Sequence, residues 1–273
     1  MIRIGAVGFL NARPLAFGLE RDPDVALRLD VPSVCARLLH EGEIDLGLVP
    51  AIELLRGPVT YDVVPGLAIA CDGAVNSVAL YTRVPIAQVR RIALDGNSRS
   101  SVGLVRVLCR HHFGIVPDFV EAAPDLAAML AQADAALLIG DPALEAPWQA
   151  LGATKLDLGE AWRAFSGLPF VFALWAARPG VLTPALVERL HAARRAGQGA
   201  IADLASAASA GDPERADRLE RYLRGNIRYD LDEAALQGLS RYLSLAMRDG
   251  LAADRPDVLA RLEQLGLQAP AGR

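Results

Sequence analysis

The feature that most constrains this chain is a unit that occurs twice. "LLHEGEIDLGLVPAIEL" (38–54) is echoed by "MLAQADAALLIGDPALE" (129–145). Each copy reads as a helix end, an acidic residue, a run of strand residues, and a proline-containing turn with a small residue and leucine. Short apolar strands between amphipathic helices imply a mainly parallel sheet covered on both faces. Two such units far apart in the chain point to two lobes built alike, not to one long sheet.

The flanking sequence fits this α/β reading. "IRIGAVGF" reads as strand, "RPLAFGLE" as helix, "VALRLDVP" as strand, "SVCARLLHEG" as helix and "IDLGLVP" as strand. Ser33 is placed to cap its helix and Gly42 to end it. "NSVALYTRVP" (76–85) reads as a strand leaving the opening lobe, and "LPFVFALWAARP" (168–179) as one returning to it. The expected division is residues 1–82 with 173–273 for one lobe and 83–172 for the other. Helices are expected over roughly 184–209, 213–224, 232–249 and 255–266, with Asp212 and Pro213 opening the second of them.

In open α/β lobes ligands bind at the carboxyl ends of the strands, which in a two-lobed protein face the cleft. Asn11, in "VGFLNARPL", lies just past the first strand. It either caps a helix beginning near Pro14 or presents its amide to the cleft, and the two roles are compatible. "DGNSRSSVGLV" (95–105) places Ser98, Arg99, Ser100 and Ser101 before an apolar helix. Hydroxyls, a guanidinium and free helix amides suit an anion; the alternative is a capping box with a surface arginine. Ser77, at the start of a crossing strand, is a further candidate. "LIGDPAL" (138–144) sets Gly140 and Asp141 at the corresponding edge of the other lobe, where Asp141 alternatively caps a helix from Pro142.

Composition removes several function classes. A net charge of -4 with no basic stretch argues against nucleic-acid binding. Cys35, Cys71 and Cys109 are odd in number and lack CxxC spacing, so buried reduced thiols are expected, not disulfides or zinc. His111 and His112 are adjacent and diverge on a helix, while His40 and His191 stand alone. No Ser-His-Asp arrangement, metal-ligand spacing or dinucleotide fingerprint occurs, so neither cofactor nor metal is expected. No apolar run is long enough to span a membrane, and the start lacks signal-peptide features, so a cytoplasmic location is expected.

Several stretches resemble the chorismate dehydratase family of the futalosine route to menaquinone: "VGFLNARPL", "GEIDLGLVPAIE", "NSVALYTRVPI", "ALDGNSRSSVGLVRVL", "ALLIGDPAL", "LDLGEAWRAFSGLPFVFALWA" and "GNIRYDLDEAALQGLSRYL". They span most of residues 2 to 247 in the family's order. The resemblance implies a type II periplasmic-binding-protein fold used as a cytoplasmic enzyme. It also implies conversion of chorismate to 3-[(1-carboxyvinyl)oxy]benzoate and water; the partner expected is the small-molecule substrate chorismate, with no nucleic acid or membrane, and the expected state is a monomer or homodimer. The sister 1,4-dihydroxy-6-naphthoate synthase shares that fold but opens on a Ser-Pro-Cys-Pro-Asn-Asp stretch absent here. On this reading Asn11 is the candidate catalytic residue. Ser77, Ser98, Arg99, Ser100, Ser101, Gly140 and Asp141 are candidate substrate contacts. A non-catalytic solute-binding protein for a small carboxylate is the competing class.

Overall fold

The alternating elements form two five-stranded sheets in the computed structural model, which describes residues 1–97 and 99–268. The first sheet has the order β2 (Val25–Asp30), β1 (Ile2–Val7), β3 (Leu46–Pro50), β10 (Phe170–Ala177), β4 (Asp62–Cys71). The second has the order β7 (Asp118–Ala122), β6 (Arg91–Asp95), β8 (Ala135–Ile139), β5 (Val78–Thr82), β9 (Thr154–Asp157). The two orders are one diagram used twice. Three parallel strands come first, then an antiparallel one, then an outer strand. The duplicated unit supplies β3 and β8, each in the middle of its sheet. Every residue of both strands is buried, because neighbours flank them in the sheet and helices cover its faces.

The strands expected to cross between lobes do so, but their sheet membership moves the division. β5 was expected with residues 1–82, yet it pairs with β8 and β9 in the second sheet. β10 starts at Phe170, within the segment expected as 83–172, and pairs with β3 and β4 in the first. A strand belongs to the sheet that hydrogen-bonds it, and apolar pattern alone carries no pairing information. We propose lobe boundaries that follow the sheets, with the chain crossing near residues 72–77 and again near 167–169.

Asp157 ties the crossings together. Its carboxylate accepts from the amides of Gly159 (2.9 Å) and Glu160 (3.1 Å) as a helix cap. It also accepts from Val75 (3.0 Å) and Asn76 (2.6 Å) on the other connection. Asn76 needs that support, since its φ of 63° is left-handed in a residue with a side chain. Nearby, Trp162, Phe170 and Tyr242 pack edge to face at centroid distances of 4.9–6.2 Å, joining the second connection to the Glu233–Arg248 helix.

The remaining local expectations divide. Gly42 ends its helix at φ 76°, and Asp212 caps the Pro213–Gly225 helix through Glu214 and Arg215. Ser33 is no cap: Val31 holds that position and Pro32 opens the helix. The stretch expected as one helix over 184–209 is two, Pro184–Gly199 and Ile201–Ala208. The glycine at the break disfavours continuation.

Asp157→Ala removes a cap and strands two amides of the other crossing. It should cost about 2–4 kcal/mol and lower Tm by at least about 5 °C in calorimetry. An unchanged Tm would mean the crossings are held elsewhere.

Candidate functional site

The carboxyl ends of β1, β3 and β8 meet around a cavity of about 50 Å³. Two antiparallel pairs reach it, Ala173 opposite Pro50 and Val78 opposite Ile139, one from each sheet. Phe9 and Phe172 add apolar walls. Asn11, Ser77, Ser101 and Gly140 bring the polar groups. Among the described residues that line the cavity, none is ionisable.

Asn11 sits in the short 3-10 turn Leu10–Ala12 that follows β1. The next helix, Arg13–Ala16, takes Ala12 as its cap residue and receives no side-chain capping bond. The amide is therefore not a helix cap, and it is part of the cavity wall. Ser77 is fully buried, and its Oγ has no hydrogen-bond partner among the described residues. Its carbonyl accepts from the Gly140 amide at 2.7 Å, which joins the two sides of the second lobe's edge. Gly140 adopts φ 60°, and a Cβ there would lie 2.9 Å from the Phe9 ring. Only glycine lets the first lobe's Phe9 close over that backbone.

The serine–arginine cluster splits in three directions. Ser101 reaches the cavity from the first turn of the Arg99–Leu108 helix, whose dipole favours negative charge there. Ser100 turns away: its Oγ accepts from the Ile52 amide at 3.2 Å, and its carbonyl accepts from the Tyr242 hydroxyl at 3.0 Å. Arg99 does not line the cavity. It pairs at 3.1 Å with Glu53 of the first lobe, a carboxylate with no solvent exposure. Ser98 lies outside the described residues.

Asp141 also serves closure. Its Oδ1 accepts from the Leu10 amide across the lobes at 3.2 Å, and it does not cap the Gly140–Leu144 helix. Desolvation raises its carboxyl above the usual range, against the opposing pull of the Leu10 amide, Arg13 and Arg215. Of the expected contacts, then, Asn11, Ser77, Ser101 and Gly140 converge. Arg99, Ser100 and Asp141 hold the lobes together instead.

Sequence reading missed Tyr222. It lies on the Pro213–Gly225 helix, long after the strand ends, and its position i to the apolar Leu219 and Leu223 reads as core. Its hydroxyl is buried within reach of the Ser77 hydroxyl and the Asn11 amide, although the three meet at less than full hydrogen-bond geometry. Burial pushes its pKa far up, so it is a neutral donor. Two buried hydroxyls and an amide thus meet beside the cavity, Ser77 and Asn11 in its wall and Tyr222 behind them. Unpaired buried polar groups are costly unless a ligand completes them.

Residues 2–248 match the family described as menaquinone biosynthesis. A curated chorismate dehydratase from Thermus thermophilus is 32% identical over 258 residues, covering 84% of this chain and 94% of that protein. The chain belongs to the menaquinone-biosynthesis family. Solved structures show the same fold at low identity. A protein from Archaeoglobus fulgidus superposes with TM-score 0.69 at 19% identity, covering 92% of this chain and 98% of that one. The alkanesulfonate-binding protein SsuA from Xanthomonas axonopodis gives 0.68 at 17%, covering 96% of each. A Candida albicans protein with the generic periplasmic binding protein fold gives 0.65 at 11%, covering 97% of this chain and 95% of that one. The fold is that of the periplasmic binding proteins, carried here by a family of biosynthetic enzymes.

Tyr222→Phe keeps the packing and removes only the buried hydroxyl. Its Tm should equal or exceed that of the unaltered protein, while KM for the substrate rises about tenfold or kcat falls by a similar factor. A fall in Tm with unchanged kinetics would make Tyr222 a structural residue.

Proposed function

We propose that the chain is a chorismate dehydratase, a cytoplasmic hydro-lyase that eliminates water from chorismate to give 3-[(1-carboxyvinyl)oxy]benzoate. The observation that carries this reading is the cavity lining: hydroxyls, an amide and a helix N-terminus, with no ionisable side chain among the described residues. Such a wall can hold a small dianion but offers no general base. Chorismate brings its own. The C3–H bond and the C4–O bond break, the proton and hydroxide leave as water, and the ring becomes aromatic.

The C3 proton is vinylogously acidic, because the developing carbanion delocalises through the diene onto the ring carboxylate. The substrate's enolpyruvyl carboxylate takes that proton when the closed cavity holds the right conformer, a proximity effect. Asn11 presents its amide from the short turn that follows β1 and orients the C4 hydroxyl or the enolpyruvyl carboxylate. Ser77 and Ser101 accommodate carboxylate oxygens, and the helix dipole at Ser101 favours the charge that develops. An amide serves better than a carboxylate at position 11, since a further negative charge beside a dianion repels it.

The test is incubation of purified protein with chorismate, followed by NMR, with and without a metal chelator. The expected outcome is the aromatic enol ether at the same rate in both. Chorismate bound but returned unchanged would instead favour a solute-binding protein. Asn11→Ala should bind chorismate but turn it over at least about a hundredfold more slowly, as for loss of one oriented donor. Near-normal kcat in that variant contradicts the catalytic role. Ser101→Ala should chiefly raise KM, whereas Ser100→Ala should chiefly lower Tm.

A further inference from the structure

A second hollow, of about 410 Å³, opens on the seam between the lobes. Ser33 lines it just after β2, and Gly96 and Glu121 line it at the ends of β6 and β7. β2 and β7 are the outer strands on the side of each sheet away from the crossing connections. Lobes that pivot about those connections part most widely there. The hollow also adjoins the smaller cavity: Pro32 lines the cavity and Ser33 the hollow, Ser101 the cavity and Arg99 the hollow. It is the mouth of the cleft.

Three guanidinium groups face this mouth, from Arg56, Arg99 and Arg106, against one carboxylate in its lining, that of Glu121. Arg56 (3.6 Å) and Arg99 (3.1 Å) share the single carboxylate of Glu53. Arg106 has no carboxylate partner among the described residues, and its guanidinium lies 4.1 Å above the Phe119 ring. Burial, and after it the neighbouring charge of Arg56, pull Arg106 below its ordinary pKa. Glu53 and Arg99 belong to different lobes, so opening separates them and leaves a further cation at the mouth. The cavity itself offers a dianion no charge, and the whole chain carries -4.

We propose that the Arg56–Arg99–Arg106 mouth is a landing site for a small dicarboxylate, which docks there before the lobes close over it. That the dicarboxylate is chorismate rests on the function proposed above. Local positive potential of this kind acts on association, because it raises the concentration of the anion at the entrance. It should leave the chemical step alone.

The test is stopped-flow association of chorismate with the full chain and with Arg106→Gln, Arg106→Glu and Arg106→Lys. At an ionic strength of about 0.02 M, Arg106→Gln should associate roughly threefold to tenfold more slowly, and Arg106→Glu more slowly still. The differences should shrink at about 0.5 M salt, Arg106→Lys should recover most of the rate, and kcat should stay unchanged throughout. An Arg106→Gln protein with the unaltered association rate and salt dependence overturns the proposal, as does a folded Arg106→Lys protein that is as slow as Arg106→Gln. If the unaltered chain neither binds nor converts chorismate, the function assignment fails and the mouth is tested with inorganic sulfate by calorimetric titration. Weaker sulfate binding by Arg106→Gln supports the anion site; equal binding removes it.

Discussion

Each sheet is completed by a strand that the chain delivers on its way from the other sheet. β5 follows β4 and inserts beside β8; β10 follows β9 and inserts beside β3. The two connections run side by side and are bound to each other through Asp157. This arrangement fixes one edge of the molecule and leaves the opposite edge to open. It also brings Val78 and Ala173, one from each delivered strand, to the same cavity. Both the site and its entrance follow from where the chain crosses.

Closure combines apolar packing, such as Phe9 over Gly140, with polar contacts between lobes. Glu53 holds Arg99, the Ile52 amide is received by Ser100, the Leu10 amide by Asp141, and Tyr242 reaches the Ser100 carbonyl. A buried ion pair of this sort adds little net stability, but losing one partner is costly, which suits a contact that specifies one geometry. The resulting cavity of about 50 Å³ is smaller than ligand sites usually are, so the function proposed above requires the lobes to part for a ten-carbon substrate. The walls then decide the chemistry. They are apolar and donor-lined, so charge on the ligand is met by hydroxyls, amides and a helix dipole in a low dielectric, where such donors act most strongly.

Much of this was legible in the residues. The duplicated unit foretold two similar lobes, and Asn11 and Gly140, read from strand ends, and Ser77, read from the start of a crossing strand, line one cavity. Chain crossings were legible as segments but not as pairings, since burial pattern leaves open which sheet receives a strand. The polar cluster before the Arg99–Leu108 helix read as one anion site, whereas successive residues on a helix point about 100° apart. Ser101 therefore faces the cavity while Arg99 and Ser100 face the first lobe. Tyr222 was hidden for the opposite reason. A tyrosine among leucines looks like core, and only the three-dimensional path of a late helix brings its hydroxyl to the first strand's end.

That closure assembles the site is open to direct measurement. Spin labels at Leu29→Cys and Val116→Cys would report the distance between lobes, since both positions are exposed and the three native cysteines are buried. Pulsed electron–electron resonance on the free protein should give a broad distribution that extends beyond the closed distance. Saturating chorismate should collapse it onto a single short distance. An identical distribution with and without chorismate, at concentrations that saturate turnover, would contradict the account.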